Sequence, residues 1–215
     1  IELFHPTHMV VGPSFGFGKG RKGTPQLLAR LGPKFGCEVQ ITEPMLLQLD
    51  QEAEPRMVSS SLIRNLLLNG RVGEAASCLD RSYAVFGEVV RGDGRGRSIG
   101  FPTANIALAD QLMPGEGVYG GRAIVGDVAR PCAISVGHTP TFGGTEERVE
   151  AHLLDFDGDL YGQIMRVEFE TFVRQQRKFE SAAALSKQLC RDVDAVRDAC
   201  GRPEPQGTGR EGRTS

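Results

Sequence analysis

The chain has 215 residues, of which 40% are hydrophobic and 24% charged, and its formal net charge is −2. This composition is typical of a soluble globular protein with one large or two small domains. The near-neutral charge excludes a general electrostatic drive toward nucleic acid, and no apolar run approaches the ~20 residues of a membrane span. The five cysteines are scattered without Cys-x-x-Cys spacing, which favours free thiols in a reducing cytoplasm over a zinc site.

The first part of the chain alternates predicted strands and helices. In order, we expect strand His8–Val11, a helix that starts at Thr24-Pro25, strand Glu38–Thr42, a helix that starts at Ser59, and helix Val72–Leu79. This order predicts a parallel sheet, and two strands make it incomplete. Because Ile1 opens the chain inside a plausible element, we also expect residues upstream of it.

From Tyr83 the pattern changes to short strands separated by Gly and Pro turns. The predicted strands are Tyr83–Val90, Val118–Val125, Pro131–Val136, Arg148–Phe156 and Leu160–Phe169. Asp157-Gly158 predicts a hairpin between the last two strands. Strands of this length and spacing favour an antiparallel barrel or sandwich.

A helix follows the strands. Ser181 is a candidate N-cap, apolar residues recur at helical spacing to Cys200, and Gly201 suits the end of the helix. Residues 201–215 are polar and rich in Gly, so we expect a disordered tail. The predicted boundary between domains falls near residues 80–82.

The segment Gly94–Asn105 contains the most informative residues. Its glycines allow backbone amides to approach an anion closely, and its arginines add positive charge. Thr103 and Asn105 are two residues apart, so in an extended segment they point the same way as hard oxygen ligands. Phosphate binding beside a hard cation indicates phosphoryl transfer, and an ordinary turn before an edge strand is the structural alternative.

Glu150 is the candidate acid–base residue. In the predicted strand it alternates with apolar residues and shares a face with His152. A carboxylate can accept or orient the proton of an attacking hydroxyl, whereas the alternative is an exposed strand Glu. For His152 a structural role is the simpler interpretation.

Two further clusters carry positive charge or hydroxyls. Arg174, Arg177 and Lys178 form either a solvated basic loop or a basic lid over phosphates. Ser59, Ser60, Ser61 and Arg64 lie at a predicted helix N-terminus, which suits either ordinary capping or an anion site.

The residues from Gly94 to Ile106 resemble the Gly-Arg-x-Ile/Leu-Gly-Phe-Pro-Thr-Ala-Asn signature of riboflavin kinases. Further motifs match that family in the same order, namely Gly117–Tyr119, Pro140–Gly144, Glu150–Phe156, Asp159–Gly162 and Arg174–Phe179. The first part resembles the back half of the FMN adenylyltransferase domain of bacterial bifunctional FAD synthetases, through Val10–Gly23 and Val58–Arg64. Together the two resemblances cover about residues 9–199.

The resemblance implies two domains and a tail. Residues 1–81 would be a partial, Rossmann-like α/β nucleotidyltransferase domain, and residues 82–200 an antiparallel Greek-key β-barrel of six strands with a C-terminal helix. The activity implied is transfer of the ATP γ-phosphoryl group to riboflavin to give FMN, in the cytoplasm and with Mg²⁺. Small molecules would be the partners, with no nucleic acid and no membrane.

The resemblance also implies roles for individual residues. Glu150 would be the catalytic base for the ribityl hydroxyl, and Thr103 and Asn105 would meet Mg²⁺. The nucleotide would contact Gly94, Arg95, Gly96, Arg97, Gly100, Thr103 and Asn105. The flavin-side flap would include Arg174, Arg177 and Lys178, and a remnant phosphate site would comprise Ser59, Ser60, Ser61 and Arg64.

One departure concerns the second activity. Adenylyltransferases of this family carry a Gly-x-Phe-Asp-x-x-His-x-Gly-His segment that binds ATP phosphates, and this sequence does not contain it. FAD formation would therefore depend on residues upstream of Ile1. The alternative from another class is a non-catalytic flavin-binding module or truncated paralogue, although binding alone does not require a base such as Glu150.

Overall fold

The structure is a computed structural model that describes residues 5–92, 94–141 and 144–201, without the side chains of residues 95, 98, 139–141 and 144–147. The chain divides into two compact units, Ile1–Ser59 and Ser60–Ser215. This division precedes the predicted boundary near residue 81, because the two helices that follow Ser59 pack with the second unit. The assignment of domains to residues 1–81 and 82–200 stays a prediction, and the predicted tail beyond residue 201 lies outside the described residues.

The first unit contains a short parallel sheet. Strands β1 (His8–Val11) and β2 (Glu38–Ile41) pair in parallel and are connected through helix α1 (Pro25–Leu31). Thr24 caps α1 by accepting a hydrogen bond from the Leu27 N–H at 3.2 Å. The predicted parallel pair is thus confirmed, while the predicted incomplete Rossmann-like nucleotidyltransferase fold of this part stays a prediction. Strands β3 (Leu46–Leu47) and β4 (Arg56–Met57) form a separate antiparallel pair.

The second unit begins with helices α2 (Ser60–Leu68) and α3 (Val72–Leu79). Leu66, Leu67 and Val72 are each 1% exposed, so these helices bury their apolar faces. Helix α3 has the predicted bounds and packs on two strands of the barrel that follows.

Six antiparallel strands close into a barrel. In chain order the elements are β5 (Tyr83–Val90), the single helical turn α4 (Arg95–Ser98), β6 (Ala104–Leu108), β7 (Gly117–Val125), β8 (Val128–Thr141), β9 (Gly144–Leu153) and β10 (Ile164–Arg174). Around the barrel the strands follow the order β10, β5, β6, β9, β8, β7. Strands β7 to β9 form a meander and β10 returns beside β7, which is the predicted Greek key.

Helix α5 (Ala182–Cys200) packs on the outside of the barrel against β7, β8 and β10. Ser181 caps it by accepting a hydrogen bond from the Ala184 N–H at 3.2 Å, and Gly201 follows it with a φ of 71°. Buried residues on this side of the barrel include Leu154, Val196 and Cys200. The predicted C-terminal helix is therefore confirmed, including both ends.

The predicted hairpin at Asp157-Gly158 is wrong. Strand β9 pairs with β6 and β8, whereas β10 pairs with β5 and β7, so these consecutive strands are not neighbours. A tight hairpin joins β7 and β8, where Val125 pairs with Val128 and Gly126 has a φ of 57°. Within the described part of the chain, no helix is both long enough and apolar enough to cross a membrane.

Candidate active site

Three polar side chains lie in one row across adjacent strands. Asn105 of β6 is opposite Glu150 of β9, and Glu150 is opposite Ser135 of β8. Their chain neighbours Val149, Ala151 and Ile134 are fully buried. Because side chains alternate along a strand, the three polar groups share the other face, on the outside of the barrel. The predicted alternation around Glu150 is confirmed.

The Glu150 carboxylate has a partner at each oxygen. The Thr103 hydroxyl donates to Oε2 at 3.4 Å, and Nη1 of Arg148 lies 3.5 Å from Oε1. The Glu150 side chain remains 30% exposed, so it is held in place yet accessible from solvent. Such a group can receive a proton from a bound hydroxyl.

Asn105 has the features of a cation ligand. The residue is 9% exposed, and its Oδ1 atom is buried without a hydrogen-bond partner among the described residues. A buried oxygen of this kind is costly unless a ligand completes it. The Thr103 hydroxyl oxygen keeps lone pairs after donating to Glu150, so both oxygens suit a hard cation such as Mg²⁺.

The glycine-rich loop forms the turn α4, which leads directly into Thr103. Gly94 and Gly100 have φ values of 68° and 86°, which favour glycine. At Gly96 a Cβ atom would lie 2.2 Å from the carbonyl oxygen of Phe101, so a residue larger than glycine would collide with it. The Phe101 N–H donates back to the Gly96 carbonyl at 2.9 Å and closes the turn.

Three cavities meet at Thr103. The first, about 590 Å³, contains Asn105, Glu150 and Ser135 and is bordered by Arg177 and Lys178. The second, about 650 Å³, is lined by Arg97 and by the aromatic and apolar residues Val89, Phe156, Leu160 and Tyr161. The third, about 340 Å³, has a mainly apolar wall formed by Ile99, Phe101, Phe179, Leu185, Leu189 and Val193. Thr103 lines all three cavities, and Glu150 lines the first and the third.

The basic segment after β10 lies at these cavities. Arg174 borders the third cavity, Arg177 borders the first and third, and Lys178 borders the first. The guanidinium carbons of Arg174 and Arg177 lie 5.7 Å and 4.9 Å from the centre of the Phe179 ring. The segment thus borders the first and third cavities, and its role as a lid stays a prediction.

The structure brings most of the predicted site residues together. Gly94, Gly96, Thr103, Asn105 and Glu150 line one cavity. Arg97 points to the second cavity, and the side chain of Arg95 lies outside the described residues. The motif at residues 140–144 is also partly outside them.

The predicted remnant phosphate site is separate from these cavities. Ser60, Ser61 and Arg64 belong to α2 of the second unit, and Ser59 is the last residue of the first unit. None of the four lines the three cavities described above. Their role in binding phosphate stays a prediction.

Several site residues were missed from the sequence. Ser135 and Gln176 are joined by a hydrogen bond of 2.8 Å, and only the strand pairing brings Ser135 to Glu150. Asp192 was detectable, because it is a polar residue within the apolar stripe of α5. His152 has structural contacts, with Nδ1 2.7 Å from the Pro102 carbonyl oxygen and its ring against Phe101.

Among the ranges that the structure describes, no group of three or more His, Cys, Asp and Glu side chains could hold a metal ion. Thr103 and Asn105, which offer neutral oxygens, stay the predicted cation ligands.

Comparisons with known proteins identify the family of the barrel. The family model described as Flavokinase: Riboflavin kinase matches residues 79–200, more than half of the chain. The chain is 35% identical over 198 residues to the bifunctional riboflavin kinase/FMN adenylyltransferase of Escherichia coli (strain K12), covering 92% of this chain and 61% of the relative. The corresponding Bacillus subtilis protein is 34% identical over 198 residues, covering 88% and 60%.

A solved structure from Streptococcus pneumoniae, named a macrolide-efflux protein, is also similar. It gives a TM-score of 0.76 at 34% identity and covers 89% of this chain and 60% of that chain. The chain thus spans about three fifths of the length of the curated relatives above. The predicted resemblance and the predicted enzyme class are confirmed by the family match, and the chain belongs to the riboflavin kinase family.

Proposed function

We propose that this chain transfers the γ-phosphoryl group of ATP to the terminal ribityl hydroxyl of riboflavin, giving FMN and ADP. One observation carries the proposal. Thr103 lies where an aromatic cavity and an apolar cavity meet, and it shares the first cavity with Glu150 and Asn105, within the segment that matches the kinase family. Phosphoryl transfer needs this meeting point, because the nucleotide and the acceptor must be in line at the γ-phosphorus.

The two flanking cavities suit the two substrates. The second cavity has aromatic walls, and Arg91 lies 5.0 Å from the centre of the Tyr161 ring, so a planar base can stack beside a cation there. The third cavity is apolar and falls within the usual size range of small-molecule sites, which suits the flavin ring. Arg97 and Lys178 supply positive charge near the phosphates.

Glu150 acts on the proton of the attacking hydroxyl. The ribityl oxygen forms a bond to the γ-phosphorus while the bond from that phosphorus to the ADP oxygen breaks. The hydroxyl proton passes to a Glu150 carboxylate oxygen. Thr103 and Arg148 hold this carboxylate on either side, so it is oriented before the substrate arrives.

The residues present fit a magnesium ion. Asn105 Oδ1 is a buried oxygen with no partner among the described residues, and Thr103, two residues earlier in the chain, lines the same cavity. These two groups would hold Mg²⁺, which when bound neutralises charge on the ATP phosphates. The carboxylate of Glu150 stays available for the proton.

Replacing Glu150 by Gln tests the proposal. The change keeps the size of the side chain and removes its basicity, so we expect kcat to fall about 10²-fold or more, the scale of a positioned acid–base group. Glu88→Gln is the matched control, since Glu88 is an exposed carboxylate on β5 and lines none of the three cavities. A folded Glu150→Gln variant with full kcat would rule out this role.

The second activity named for the relatives is a separate question. The resemblance assigns the ATP phosphates of adenylyl transfer to a segment that this sequence does not contain. We therefore propose FMN formation for residues 1–215, with FAD formation only where that segment is present. Separation of riboflavin, FMN and FAD after incubation with ATP and Mg²⁺ tests the proposal, and an FAD peak would contradict it.

A further inference from the structure

A carboxylate on helix α5 is buried beside the third cavity. Asp192 is 1% exposed and lies in the apolar stripe of the helix. It accepts two hydrogen bonds from Arg174, from Nε at 2.9 Å and from Nη2 at 2.7 Å, and a third from Nε2 of Gln188 at 2.8 Å. The carboxylate is thus fully committed to holding neighbouring side chains.

A contribution to stability does not by itself explain the buried ion pair between Arg174 and Asp192. Desolvation of two charges offsets much of their attraction, and well-packed apolar residues in place of a buried ion pair are often as stable or more stable. A bidentate guanidinium–carboxylate pair does, however, define the orientation of both groups. The main effect of the pair is therefore to fix the orientation of the two side chains, and its contribution to the free energy of unfolding is small.

The geometry concerns the wall of the third cavity. The pairing of β10 with β7 shifts register at Phe169/Thr171 and again at Phe172/Arg174, and such irregularities change where a side chain points. Arg174 then pairs with Asp192, and Arg177 donates to the Gln188 side chain. Both guanidinium groups lie within 6 Å of the Phe179 ring centre, so two residues of α5 hold both arginines beside this aromatic ring.

We propose that Asp192, assisted by Gln188, is a positioning residue for the acceptor substrate. It keeps Arg174, Arg177 and Phe179 in place as a preformed wall for a planar aromatic ring, without touching the reacting atoms. This inference rests on the proposed function, because it takes the third cavity as the flavin site. The second cavity, where we place the nucleotide base, contains none of these residues.

Asp192→Asn removes the charge and keeps the shape. Flexible arginines would then be ordered only when substrate binds, so we expect the riboflavin Kd and KM to rise roughly tenfold, on the scale of immobilising one or two long side chains. The KM for ATP should stay within about twofold of wild type. Quenching of riboflavin fluorescence gives Kd, and initial rates with each substrate varied give both KM values. Asp194→Asn is the matched control, because Asp194 is exposed on the same helix.

A second variant separates positioning from folding. Arg174→Met combined with Asp192→Leu replaces the ion pair by apolar side chains of similar size, so the melting temperature should be retained while riboflavin binding is lost. Retained riboflavin affinity in this double variant or in Asp192→Asn would overturn the inference, and so would an equal rise of both KM values. If Asp192→Asn does not fold, the double variant decides. A wild-type chain that neither binds nor phosphorylates riboflavin would overturn the proposed function and the inference together.

Discussion

Gly92→Ala perturbs the site without removing any functional group. A Cβ atom at position 92 would lie 2.2 Å from Nδ2 and 2.6 Å from Oδ1 of Asn105, whereas ordinary contacts begin at 3.4 Å. The proposed ligand oxygen would have to move by the difference, about 0.8 Å. Asn105 is buried and its side chain is short, so the side chain can move little to relieve the clash. Displacements near 1 Å reduce catalysis on the order of 10²-fold, and we expect a loss of that size in kcat/KM for ATP.

Initial rates of FMN formation at several Mg²⁺ concentrations measure this effect. We expect the loss to be accompanied by a higher Mg²⁺ requirement, because Asn105 is a proposed ligand. Gly73→Ala is the control, since its Cβ would make only an ordinary contact of 3.7 Å with the Glu170 carbonyl. Thermal unfolding checks that both variants fold, with overpacking at position 92 worth roughly 1–3 kcal/mol. A folded Gly92→Ala protein with kcat/KM and Mg²⁺ dependence within threefold of wild type would refute the reasoning.

Three further predictions concern stability and reactivity. Phe169→Ala empties a fully buried site and should reduce the free energy of unfolding by about 3–5 kcal/mol in urea titrations, whereas Phe86→Ala, at a half-exposed site, should change it by about 0.5 kcal/mol. Burial raises the pKa of Cys200 from 9.0 to about 12 and that of Tyr119 from 10.0 to about 12. Both groups therefore hold their proton more tightly when folded, so the free energy of unfolding should be highest below pH 9 and fall from pH 9 to 12, and a flat profile would contradict this. Native protein should react with a thiol reagent first at Cys190, the exposed cysteine, and mass mapping of label at a buried cysteine first would be inconsistent with the structure.

Local signals predicted most of the elements. Alternation gave the bounds of β5 at Tyr83–Val90, and capping residues gave both ends of α5. The hairpin prediction at Asp157-Gly158 failed because a turn signal cannot reveal that β9 and β10 pair with other strands. Residues 154–163 lead instead past the second cavity, which they help to line.

The site was predictable where its residues are close in sequence. Thr103 and Asn105 follow directly from their motif, and Glu150 from the apolar residues on either side of it. Ser135 was not predictable, because its place beside Glu150 depends on the long-range register of β8 and β9. Asp192 could have been singled out as a polar residue in the apolar stripe of α5, but its partner could not, because Arg174 approaches it only in the folded chain.

The central claim is that this chain phosphorylates riboflavin with Glu150 as the base. The most direct test incubates the purified chain and its Glu150→Gln variant with riboflavin, ATP and Mg²⁺ and separates the flavins chromatographically. The account predicts FMN from the wild type, at least about 10²-fold less FMN per unit time from the variant, and no FAD from either. Riboflavin that is bound by the wild type but never converted to FMN would contradict the claim.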